Sequence, residues 1–236
     1  MSDQRLHVSA DGPVTEIVFD HPPINVYDVA TRDALCEVLT AILADPDVRV
    51  LVFSATGDHF SAGADLKEFG TAPSLFAMRD ARWGRDVWGL LRAVPVPMIA
   101  SMQGNAVGFG FELALQCDVR LAADDGVFAL PEARVGMVPA GGASQTLPRL
   151  VGTSAALAAV ITGERIPALA ALARGFVDEV VPRAQLRART DELASRLAAR
   201  PPLAVRAAKA AVWMALDLPL DVGLRREADL AATLRT

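Results

Sequence analysis

The stretch HFSAGADLKEF, His59–Phe69, is where the reading of this chain is decided. It follows VRVLVF (Val48–Phe53), an apolar run with the length and β-branched content of a buried strand. After a short turn come four small residues, Ser61-Ala62-Gly63-Ala64, where a helix would favour longer side chains. So little bulk at the exit of a core strand has two readings. Either the turn is tight within a packed interior, or a ligand must come close to main-chain amides.

The sequence on either side supplies the frame. PVTEIVFDH (Pro13–His21) reads as a strand ended by Pro22-Pro23. Asp28 or Thr31 caps a helix whose apolar residues Leu35, Val38, Leu39, Ile42 and Leu43 recur at helical intervals, and Asp45-Pro46-Asp47 ends it. Strand, helix, strand favours parallel pairing and an α/β architecture. Residues Ala72 to Leu91 read as helical, and RDARWGRDVW within them is a candidate pocket wall. PMIASMQ reads as a strand, GNAVGFGFELALQ as a glycine-rich turn into a helix, and CDVRLAA and GVFAL as two further strands. From Ser154 onward the sequence is Ala-rich and almost entirely helical. Pro201-Pro202 opens one helix, and Leu218-Pro219 separates it from the last. The expected organisation is a core over residues 1–185 and a helical C-terminal region over 186–236.

Composition narrows the function classes. With 236 residues, 52% of them hydrophobic, the chain can bury a large core. A net charge of −5 and no dense Lys/Arg block disfavour nucleic-acid binding. Cys36 and Cys117 lie in apolar patterns, so a disulfide framework is not expected and a reducing compartment is. The polar N-terminus MSDQRLHVSADG lacks the apolar segment of a secretory signal, and no apolar run is long enough to span a membrane, so the expected setting is the cytoplasm.

Two glycine-rich turns each follow a strand, SAGAD at 61–65 and GNAVGFG at 104–110. Neither completes a dinucleotide fingerprint, and GxxxxGK[ST] is absent. What they offer is backbone N–H groups where helices begin, suited to an anion or a developing oxyanion. Two carboxylates sharpen that reading. Glu112 lies in the first turn of the apolar helix FELALQ, and Glu132 follows Pro131 after the strand GVFAL. A carboxylate in apolar sequence is costly to bury unless it is paired, hydrogen-bonded or protonated, and its pKa can then suit acid–base work. A single such Glu reads first as a charge favouring the helix dipole; two beside glycine-rich turns read as carboxylates facing an oxyanion site. His7, His21 and His59 are isolated, with no HExxH or CxxC, which disfavours zinc, and no GxSxG elbow suggests a serine hydrolase.

Three stretches carry a resemblance: HFSAGADLKEF, VPMIASMQGNAVGFGFELALQCDVRLAADDGVFALPEARVGMVPAGGASQTLPRLVG and ITGERIPALAALARGFVDEVV. In sequence, order and spacing they resemble the enoyl-CoA hydratase/isomerase (crotonase) family, over roughly residues 10–215. The resemblance implies a ββα superhelical core with a helical C-terminal trimerisation region, assembled as a homotrimer or a homohexamer made of two trimers. It assigns the oxyanion donors to the backbone N–H groups of Ala64 and Phe109, with the Phe109 ring narrowing the pocket. CoA contacts fall on Pro23, Ile24, Ala62, Ala64, Asp65 and Leu66, with Lys67 as a phosphate or adenine partner. The acid–base positions of the hydratases fall on Glu112 and Glu132. Leu130 and Pro131 are placed at the pocket wall, and Ala140 stands where glycine is common, its N–H directed at the water. The chain ends at Thr236, short of a charged tail common in the family, so CoA contacts from such a tail are not expected. The implied activity is reversible hydration of a 2-enoyl-CoA. The alternatives are a double-bond shift, another acyl-CoA reaction of this fold, or a non-catalytic binding protein. No cofactor is implied beyond the coenzyme A carried by the substrate. Arg82, Trp83, Arg85 and Trp88 read first as a solvated helix face and second as acyl-recognition residues.

Overall fold

The computed structural model describes residues 5–68, 71, 74 and 84–234. Its frame is a six-stranded sheet built from β1 (Leu6–Asp11), β2 (Val14–Phe19), β4 (Val50–Ala55), β6 (Met98–Met102), β8 (Val119–Ala123) and β11 (Glu179–Val181), which lie side by side in that order. Every neighbouring pair is parallel except the β1–β2 hairpin. The strand–helix–strand reading therefore holds: α1 (Val29–Ala44) links β2 to its parallel neighbour β4. β1 has no counterpart in the sequence reading. Only Leu6 of its six residues is buried, so it carries no apolar alternation and is held by backbone pairing to β2.

Four of the six strands, β2, β4, β6 and β8, are each followed by a short second strand. These are β3 (Val26–Tyr27), β5 (Gly63–Ala64), β7 (Asn105–Val107) and β9 (Val127–Ala129). β3 pairs with β5, β7 with β9, and a single bridge from Ser61 to Ala106 joins the two pairs. A helix or helical turn follows: α1 after β3, a 3-10 turn Leu66–Glu68 after β5, α3 (Phe109–Gln116) after β7, and a 3-10 turn Glu132–Val135 after β9. The chain thus repeats strand, strand, helix, and the second strands of the repeats lie next to one another. The glycine-rich segment read as a plain turn contains β7, too short to show an alternating pattern.

Alternation along the core strands assigns the two faces of the sheet. Leu51, Phe53, Met98, Ala100 and Met102 join the large core with Leu35, Leu39 and Leu91, from α1 and α2 (Val87–Ala93). Val50, Val52, Ile99, Leu121 and Ala123 face the other way, onto Leu186, Ala194 and Ala198. Those three lie on α7 (Arg183–Ala198), whose buried residues recur every four positions along one face. Burial on both faces explains why Val50–Phe53 is continuously apolar. The 185/186 division falls inside α7, the helix that covers the second face.

The remaining helices are α4 (Ala143–Val151), α5 (Thr153–Thr162), α6 (Ala168–Ala173), α8 (Pro202–Met214) and α9 (Leu220–Thr233); β10 (Ile166–Pro167) pairs with β9. Pro202 stands at the start of α8, and Pro219 precedes α9, as the sequence indicates. Polar contacts tie α8 to the core: Lys209 Nζ donates to Val96 O at 2.8 Å and to Asp118 Oδ2 at 2.7 Å. Of the segment read as helical from Ala72 to Leu91, α2 accounts for the last turn; most of it, Arg82 and Trp83 included, lies outside the described residues. Among the described residues, no helix is long and apolar enough to cross a membrane.

Candidate active site

The small residues after β4 run as a strand between two neighbours. On one side Phe60 N donates to Gln103 O at 2.9 Å, Ser61 N to Asn105 O at 3.0 Å, and Val107 N to Ser61 O at 2.9 Å. On the other, Ala62 N donates to Ile24 O at 2.8 Å and Asp65 N to Tyr27 O at 3.0 Å. Neighbouring backbone and side chains lie so close that the glycines here have no room for a Cβ. A Cβ on Gly63 would sit 2.8 Å from Val107 O and 3.5 Å from Phe109 N. One on Gly110 would sit 2.6 Å from Ser61 Cβ. The small residues therefore seat the Gly63–Ala64 turn against the Gly108–Phe109 turn. Asn25 anchors the entry: its Nδ2 donates to Thr56 O and His59 O, and its carbonyl accepts from Ser61 Oγ at 2.7 Å. Nothing in the sequence pattern singled out Asn25.

Phe109 is the first residue of α3, so its amide falls outside the helix's own hydrogen-bond ladder. Ala64 and Phe109 both line one cavity of about 290 Å3, and Glu112 and Glu132 line it too. Residues 48 positions apart or more along the chain, from Ala64 to Glu112 and Glu132, thus meet around one space.

The two carboxylates are held differently. Glu112 is buried, and its Oε1 accepts from Gly141 N at 2.8 Å and Ala143 N at 3.2 Å, the amides around the start of α4. Those donors fix its orientation through charge-assisted bonds. Glu132 follows Pro131 in the 3-10 turn after β9. Its Oε2 is buried without a hydrogen-bond partner among the described residues. Burial pushes its pKa above the usual carboxylate range, against a smaller opposing hydrogen bond from its own backbone. Its Oε1 would lie 3.0 Å from a Cβ on Gly108, whose φ of +53° already favours glycine. The geometry offers one carboxylate anchored by amides and a second poised to carry a proton.

Aromatic rings form much of the wall. Tyr27 stacks on Phe109 with centroids 3.5 Å apart, and Trp88 lies 5.4 Å from Phe109. Burial drives the Tyr27 phenol well above its ordinary pKa, so it remains a neutral wall group at physiological pH. Met137 and Val138 complete an apolar side. Phe109 lines the cavity while its ring packs into the large core, whereas Tyr27, Met137 and Val138 had no local signal to mark them.

The other candidate residues divide into two groups. Ala62, Leu66, Pro131 and Ala140 line the cavity. Pro23, Ile24, Asp65, Lys67 and Leu130 do not; Pro23, Ile24 and Lys67 are exposed, and Leu130 is buried in the large core. The amides of Ala62 and Asp65 are committed to Ile24 and Tyr27, which leaves carbonyls or side chains for any ligand contact. Lys67 follows Leu66 on the exposed 3-10 turn, and its own amide is held by Asp65 Oδ1 at 2.9 Å. Arg85 points away from the cavity toward Asp33 and Glu37, while Trp88 lines it.

Comparisons with known proteins agree with this architecture. A sequence model of the enoyl-CoA hydratase/isomerase family matches residues 9–235. The carnitinyl-CoA dehydratase of Salmonella typhi is 36% identical over 228 residues, covering 94% of this chain and 85% of that protein. The crystal structure of an enoyl-CoA hydratase from Bacillus anthracis superposes with a TM-score of 0.92 at 33% identity, covering 99% of this chain and 92% of the other. An enoyl-CoA hydratase from Mycobacterium smegmatis gives 0.90 at 29% identity, with 98% and 91% covered. The fold is therefore shared along nearly the whole length, and this chain belongs to the enoyl-CoA hydratase/isomerase family, with the crotonase fold.

Proposed function

We propose that the protein is an enoyl-CoA hydratase, adding water reversibly across the double bond of a 2-enoyl-CoA thioester. The observation that carries this reading is the meeting of Glu112, Glu132 and the two amide-bearing turns in one cavity. The thioester carbonyl lies between the Ala64 and Phe109 amides, where each donor can stabilise the enolate-like transition state by about 3 kcal/mol. Glu112, held by Gly141 and Ala143, orients the water and takes its proton as it adds at Cβ. Glu132, its pKa raised by burial, delivers a proton to Cα. The enolate explains why the carboxylates must neighbour the oxyanion donors. Because the thioester is the electron sink, no cofactor is required beyond the coenzyme A of the substrate.

The name of the Salmonella typhi relative, a carnitinyl-CoA dehydratase, describes the same bond change in reverse, which supports hydro-lyase chemistry. A double-bond shift is the second reading. Glu132 favours it, since a single carboxylate that both takes and returns a proton could move the double bond without water. In the same proposal the chain assembles as a homotrimer or homohexamer through its C-terminal helices. Its setting is cytoplasmic, in keeping with two buried free thiols.

Purified protein mixed with crotonyl-CoA tests the reading. Hydration removes the conjugated absorbance and yields a hydroxyacyl product, whereas an isomerase converts 3-enoyl into 2-enoyl thioesters without net water addition. Glu112→Gln and Glu132→Gln are each expected to lower kcat by about 10²–10⁴-fold. Hydration that survives in both variants would sink the two-carboxylate mechanism.

A further inference from the structure

We propose that Trp88 sets the depth of the acyl site: its indole, seated on Gly141, closes the catalytic cavity and divides it from a second chamber. This rests on the reading of the chain as an enzyme of 2-enoyl-CoA thioesters. The second chamber, of about 360 Å3, lies on the far side of Trp88, with Trp213 and Leu216 among its apolar walls and Gln116, Gln145 and Arg149 among its polar ones. The two cavities share three lining residues, Trp88, Ala140 and Gly141.

The partition is one residue thick. Gly141 N donates to Glu112 in the catalytic cavity, and Gly141 O accepts from Gln116 Nε2 at 3.3 Å, a residue of the second chamber. A Cβ on Gly141 would lie 2.2 Å from Trp88 Cζ2 and 2.4 Å from Cη2, so the indole occupies the space that any other residue would fill. Glycine is required here by contact, not by backbone conformation. On its other side the indole meets Phe109, itself stacked on Tyr27, so three rings form a continuous wall. Trp88 is positioned by the start of α2, where Asp86 caps the helix through Gly89 N at 3.0 Å. An acyl chain lying beside Glu112 and Glu132 therefore meets Trp88 before it can reach the second chamber. Trp88 is a specificity-determining residue that favours short acyl groups.

The test compares crotonyl-CoA, 2-octenoyl-CoA and 2-dodecenoyl-CoA in the native protein, Trp88→Phe and Trp88→Ala. The measured quantity is the ratio of kcat/KM for long over short chains. The native protein is expected to favour crotonyl-CoA, and the ratio is expected to rise by about tenfold or more in Trp88→Ala, since each methylene accommodated is worth roughly that factor. Trp88→Phe should give a smaller rise, and it preserves the test if the alanine variant does not fold. Dissociation constants for butyryl-CoA and dodecanoyl-CoA, which lack the reacting double bond, should shift in the same sense. They separate the two ideas: a Kd ratio that shifts without turnover of any enoyl thioester overturns the proposed hydration but keeps the partition. Native protein that handles 2-dodecenoyl-CoA as well as crotonyl-CoA would overturn the partition. So would unchanged ratios in a folded Trp88 variant.

Discussion

Glu132 combines a proposed catalytic role with a cost to folding. Its pKa is raised by burial, so between the unfolded and folded values the native state holds a proton that the unfolded chain has lost. Its contribution to stability is present below the unfolded value, near 4.5, and is lost as the pH rises through the higher folded value. Glu132→Gln is therefore expected to melt higher than the native protein at neutral pH, and to lose that advantage in acid, while its turnover collapses. Calorimetry across pH, run beside the crotonyl-CoA assay, checks both; an advantage independent of pH would refute the burial argument. Gly110 makes a second prediction at this scale. An added methyl would meet Ser61 Cβ at 2.6 Å, so Gly110→Ala is expected to cost about 1–3 kcal/mol by overpacking, measured by denaturant titration. This contact also accounts for the small residues of HFSAGADLKEF. They give room to the neighbouring turn first, and through it to the cavity.

At the scale of the element, α1 shows how a sequence signal and its partners combine. Asp28 caps the helix: Oδ1 accepts from Thr31 N at 2.7 Å and from Thr31 Oγ1 at 2.8 Å, and Oδ2 pairs with Arg5 at 3.0 Å. Burial raises the Asp28 pKa, but the Thr31 bonds and the Arg5 and His21 charges together outweigh it, and the net shift is downward. The stability it supplies is present above its unfolded pKa, 3.8, and lost as the pH falls through the lower folded value. Asp28→Ala should cost about 1 kcal/mol at neutral pH through the cap, with a shallower decline in acid than the native protein. Equal acid sensitivity in the two would count against this account. Of the two caps the sequence offered, Asp28 holds the role and Thr31 is its partner. α7 was legible as a helix, yet its role was not, because an Ala- and Arg-rich helix has little hydrophobic contrast. Its face is defined only by what the sheet leaves uncovered.

Across the whole molecule, the C-terminal helices present large apolar side chains to solvent, among them Val212 on α8 and Leu220 and Leu224 on α9. Exposed apolar groups on two successive helices are where the proposed contact between copies would form. The proposed trimer or hexamer predicts that sedimentation equilibrium will find multiples of three chains, and that Val212→Asp combined with Leu220→Asp will shift the population toward monomer. A native protein that sediments as a monomer at micromolar concentration would remove that part of the proposal. Within the chain, α7 covers one face of the six-stranded sheet and the large core fills the other.

The sequence by itself determined the α/β class, the core strands at VRVLVF, PMIASMQ and CDVRLAA, and both glycine-rich turns. It also marked the two glutamates, because burial on both sides of a strand and the clearance around a backbone write themselves as local composition. Tertiary structure decided what local composition cannot express. It set which amides were already committed, as with Ala62 and Asp65. It placed Tyr27 and Phe109 ring to ring, and sent Leu130 into the core. It also set Trp88 against Gly141, two residues far apart in the chain whose contact exists only because α2 and the start of α4 meet. Periodicity records which face of an element is buried; it does not record which other element does the burying, and the acyl end of this cavity is built from that second kind of information.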